Sequence, residues 1–69
     1  MLAQGIEYRK SNAIKWQRQA EGDARAAAEA YAAGLYTMAI RLQDAAQEAH
    51  YMMTHYTNSL ALWREAAEG

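Results

Sequence analysis

Apolar and small residues recur along the second half of this chain at alternating intervals of four and three. The row runs Leu35, Ala39, Leu42, Ala46, Ala49, Met53, Tyr56, Leu60, Trp63, Ala67. Such spacing keeps one stripe facing the same way on a helix and is the pattern of helices packed along their length. Neither Gly nor Pro interrupts it, so the pattern predicts one helix over about 37–68, ~48 Å long at ~1.5 Å per residue. The adjoining positions Met38, Ala45, Met52, Ser59 and Ala66 are also apolar or small. They widen the stripe toward the face of a helix in a bundle.

The first half has a weaker face. Ala13, Ala20 and Ala27 recur every seven residues, with Ile6 before them and Trp16, Ala24 and Tyr31 on neighbouring positions. A first helix is predicted over about 12–33, with Ser11 or Asn12 as its N-cap and Gly5 weakening any earlier turn. Gly34, alone after an Ala-rich run, fits the left-handed position beyond a helix C-terminus. The turn is then 34–36, and Thr37 is placed to cap the second helix. The whole chain, 1–69, reads as one all-α domain, a helical hairpin. Gly22 leaves a second topology open: a break there gives a three-helix monomer.

Composition bears on what covers the stripe. Seventeen of the 69 residues are Ala, which favours helix but adds little buried area. So short a chain has a thin core on its own. A homodimeric four-helix bundle is therefore the expected architecture, with Leu42, Met53, Tyr56, Leu60 and Trp63 holding it together. The six β-branched residues never alternate, which argues against a sheet. Cys is absent, which removes disulfides and thiolate sites. No stretch approaches the length of a membrane span or the h-region of a signal peptide. A cytoplasmic protein with no membrane role is the expectation.

Candidate chemistry is sparse. His50 and His55 lie five apart, about 140° around a helix, and do not form a same-face metal pair. Ser11 and Ser59 lack a nucleophile elbow, Asp44 and Glu48 read as a solvated acidic face, and no phosphate-cradling glycine pattern occurs. No catalytic residue, metal or cofactor is expected. Charge is uneven: residues 1–20 carry a net +3 and residues 21–69 a net −4. Arg9, Lys10, Lys15 and Arg18 interleave with Tyr8 and Trp16, a set suited to phosphates and bases. Nucleic-acid binding by the first helix is thus an alternative function, and a purely structural oligomer is another.

The leading expectation is binding to another protein. Tyr36, Ile40, Gln47 and Tyr51 fall off the stripe on one helix face, as does Leu62 further on, and Tyr31 and Leu35 converge with the first two near the turn. Aromatic and apolar groups of this kind are favoured at interfaces. The expected partner-binding set is Tyr31, Leu35, Tyr36, Ile40 and Tyr51.

Two resemblances extend this. Gly34 to Ile40, followed by Ala46, resembles the turn and second helix of a tetratricopeptide repeat over about thirteen residues. The second helix outruns a repeat, so the likeness is one of helix–turn–helix packing. In size and organisation the chain is similar to the small helical proteins of bacteriophages, in particular quorum-sensing anti-activators. That resemblance implies a dimer that binds and inhibits a host regulatory protein, a bacterial transcription activator. It transfers no residue.

Overall fold

Two long helices, α1 (Leu2–Ala32) and α2 (Tyr36–Glu68), run antiparallel along their full lengths. They are seen in a computed structural model that describes residues 2–69, the side chain of Leu2 excepted. The hairpin measures 52 × 13 × 12 Å over its Cα atoms. Its all-α class and hairpin topology match the reading from periodicity. α1 is unbroken through Gly22, so the three-helix alternative is overturned. A glycine in mid-helix costs ~1 kcal/mol relative to Ala but does not by itself end the helix.

The turn follows from one residue. Gly34 has φ +79°, the left-handed region where a Cβ is penalised. With it there, the Leu35 amide donates to the Ala30 carbonyl at 2.9 Å and the Gly34 amide to that of Tyr31 at 3.0 Å. These are the paired bonds of a Schellman C-terminus. α2 then starts at Tyr36, with Leu35 as N-cap and no side-chain cap; Thr37 lies inside the helix rather than capping it. The Leu35 carbonyl accepts the first intrahelical bond, from Ala39, at 2.9 Å.

Residues enclosed between the helices are Ala27, Ala30, Ala39, Ala46, Ala49 and Leu60, with no buried polar side chain among the described residues. Leu42, Met53, Tyr56 and Trp63 are half-buried along the same seam, whereas Leu35 and Ala67 at its ends are exposed. Small residues let the helices approach closely, but they leave the larger side chains only partly covered.

On α1 the facing rows are Ile6, Ala13, Ala20, Ala27 and Arg9, Trp16, Asp23, Ala30, each buried or half-buried. Ala24 and Tyr31 are exposed and do not belong to the seam. Asp23 is held at the seam's edge, where both its oxygens accept from the Gln19 side-chain amide at 3.1 Å.

The helix also begins ten residues earlier than expected, and Asn12 is internal, its side-chain amide donating to the Tyr8 carbonyl at 2.8 Å. Gly5 explains why. A Cβ at that position would overlap the Trp63 ring, so Gly5 is a notch that seats an indole from the far end of α2. Arg9 closes the arrangement: its guanidinium lies 3.7 Å from the Trp63 ring centre, Nε donates to Ser59 Oγ at 2.6 Å, and Nη1 donates to the Gly5 carbonyl at 3.1 Å. Next to it Tyr8 and Tyr56 meet edge-to-face, ring centres 6.1 Å apart. A side-chain hydrogen bond with Tyr8, aided by partial desolvation, raises the Tyr56 pKa.

The two helical glycines should therefore respond oppositely to alanine. Nothing lies within 4 Å of a Cβ at Gly22, so Gly22→Ala should raise stability by ~0.5–1 kcal/mol through helix propensity. Gly5→Ala should lower it by ~1–2 kcal/mol, because overpacking against Trp63 outweighs the same propensity gain. Urea midpoints of the two variants test the pair; a stabilised Gly5→Ala protein would refute the notch.

Candidate functional site: an alanine-floored groove

Along one edge of the seam, in the half nearest the turn, lies an open groove of about 1120 Å³. Its floor and α1 wall are small residues: Ala20, Ala24, Ala27 and Ala28 from α1, Ala39 and Ala46 from α2. The rim is larger. Tyr31 and Tyr36 close one end and Ile40 stands beside them, while Gln43, Gln47 and His50 continue the α2 wall and Glu21 the α1 wall.

Helical spacing explains the composition. Tyr36, Gln43 and His50 recur every seven residues immediately beside the seam row of Ala39 and Ala46, and Ala24 and Tyr31 do the same on α1. The lining is mostly apolar, and Glu21 is its one acid. Tyr31 and Tyr36 pack edge-to-face across the turn with ring centres 5.3 Å apart, yet they remain 67% and 59% exposed, and Ile40 is 61% exposed. The two rings pack on each other, and all three groups remain largely uncovered. A trough with a small-residue floor and large amphipathic rims suits an incoming helix, whose side chains can reach the floor.

Of the five residues expected to bind a partner, Tyr31, Tyr36 and Ile40 line the groove. Leu35 and Tyr51 are exposed but do not line it: Leu35 belongs to the turn, and Tyr51 shares the helix face of Ile40 and Gln47 but lies one turn beyond Gln47. The sequence reading missed the floor itself. Its signal is the spacing of Ala20, Ala24 and Ala28, four apart on one face, of which Ala20 and Ala24 read from the sequence only as members of the α1 seam.

The histidines do different things. His50 lines the groove, and His55 stacks edge-to-face on Tyr56 at 5.3 Å. No group of three or more His, Cys, Asp or Glu side chains placed to hold a metal exists among the described residues.

The basic first helix does not form a single stripe. Arg9 is engaged with Trp63, Ser59 and Gly5, and Trp16 is half-buried in the seam with the Lys15 ammonium 5.5 Å from its ring centre. The other cations of the set near its start, Lys10, Lys15 and Arg18, spread over ~140° of helix circumference at ~100° per residue. No described helix is long and apolar enough to cross a membrane.

No protein-family model, curated protein or solved structure matches the chain.

Proposed function

We propose that this protein is a small interaction module that captures an amphipathic helix of another protein in the groove between Tyr31, Tyr36 and Ile40, and so inhibits or modulates that protein. The observation that carries the reading is the pairing of an uncharged, small-residue floor with exposed aromatic rims that pack edge-to-face on each other. Two tyrosines and an isoleucine supply contact area at little cost in side-chain entropy, the composition of interface anchors. The target class is a regulatory protein such as a transcription activator, on the likeness to phage anti-activators in size and organisation. Binding is expected to depend on a few anchors rather than on charge.

The test is comparative capture from the source cell, using the tagged full-length chain. Ile40→Glu and Tyr36→Ala should each weaken binding of the captured protein by at least ~30-fold, the effect of losing a ~2 kcal/mol anchor. Their helical circular dichroism and melting temperatures should stay close to those of the parent. Capture that survives both substitutions would place the binding surface elsewhere and refute the reading.

A further inference from the structure

We infer that a second copy of this chain docks antiparallel on the flank opposite the groove, along the row Met38, Ala45 and Met52 with Leu62 beside its far end. The inference does not rest on the groove's occupant. That row lies ~160° around α2 from Tyr36, Gln43 and His50, so the two surfaces are separate.

Three observations carry it. The first is area. The chain exposes 5242 Å², whereas a compact monomer of 7.7 kDa exposes ~4300 Å². The excess, ~900 Å², is close to the ~800 Å² each partner covers in a stable interface of ordinary size.

The second is charge. Folding the chain back on itself polarises the rod along its length. The turn half, residues 19–52, carries Glu21, Asp23, Glu29, Asp44 and Glu48 against Arg25 and Arg41, a net −3. The free-end half, residues 1–18 and 53–69, carries a net +2. Only an antiparallel pair brings the acidic half of each copy against the basic half of the other; a parallel pair sets like against like.

The third is where the apolar groups sit. Met38 near the turn is 53% exposed and Leu62 near the free end is 65% exposed, with half-buried Ala45 and Met52 between them. A twofold axis across the middle of α2 places Met38 of each copy opposite Leu62 of the other. One self-complementary patch then closes at both ends.

The experiment uses the natural absence of cysteine. Sedimentation equilibrium of the full chain should give twice the 7.7 kDa of one copy. Met38→Cys and Leu62→Cys variants, mixed and oxidised, should form a disulfide-linked pair, while each alone stays uncrosslinked. Within one copy these positions are ~36 Å apart along α2, so no internal bond competes.

Met38→Glu combined with Leu62→Glu should give a single-copy mass with unchanged helicity, whereas Ile40→Glu should leave the dimer intact. A single-copy mass for the parent chain would overturn the inference. So would rapid self-crosslinking of Met38→Cys alone, which marks a parallel pair, or a dimer lost with Ile40→Glu, which moves the second copy into the groove. A monomeric chain whose captured protein is released by Met38→Glu would assign the flank to that protein instead.

Discussion

Enlarging Ala49 to leucine is expected to remove about 3 kcal/mol of folding stability, the upper part of the usual overpacking range. Ala49 is the most enclosed side chain in the hairpin, 2% exposed, at mid-length of a rod whose Cα cross-section is only 13 × 12 Å. Three added carbons there have no cavity to enter, and the nearest buried residue on the same face, Ala46, has no rotamer to change. The strain falls on the backbone and drives the helix axes apart, uncovering Ala46 and Leu60 as well. A chain of this length has ~3–10 kcal/mol of stability in total, so the variant should be largely unfolded in mild urea. Ala61→Leu, on the exposed side of the same helix, should change stability by no more than ~0.5 kcal/mol. Equal effects at the two positions, read as urea midpoints, would mean that the close approach of the helices is not what holds the hairpin.

Trp63→Ala should cost a similar amount for the opposite reason. Full burial of an aromatic ring makes its truncation worth ~3–5 kcal/mol; Trp63 is half-buried, which lowers the hydrophobic part to ~2 kcal/mol. Loss of the Arg9 stack adds ~1 kcal/mol. The decisive measurement is a double-mutant cycle with Gly5. In the parent, Gly5→Ala collides with the ring; once the ring is gone, the same substitution has only its propensity gain of ~0.5–1 kcal/mol and should stabilise. A sign change of this kind identifies a direct contact between residues 58 positions apart. Additive effects would show that the glycine and the indole do not meet.

That contact also shows where sequence reasoning stops. The α2 seam from Leu42 to Trp63 was legible because every member is apolar and nothing interrupts the four-and-three rhythm. Gly34 was legible because a lone glycine after a helical run has one common use. The α1 seam was harder: it includes Arg9 and Asp23, and a search for apolar positions substitutes Ala24 and Tyr31 for them. Arg9 occupies a seam position because its stem and guanidinium cover an aromatic face. That partner lies on the other helix, out of view of any local window. For the same reason Gly5 looked like a weak start and proved to be a seat. At the candidate site, exposure of Tyr36 and Ile40 followed from helical phase, but a groove is a property of two helices and depends on how they lie together.

The alanine repeats have one more consequence. Ala13, Ala20 and Ala27 on one helix and Ala39 and Ala46 on the other form a ladder of near-identical rungs, and a shift of seven residues would set small side chain against small side chain much as before. These rungs therefore have little power to choose among alignments. That choice is left to the larger seam residues such as Trp16 and above all to the two ends, the left-handed glycine at one and the indole in its seat at the other. Chains altered at either end should populate slipped hairpins, visible as doubled resonances, long before they lose helix.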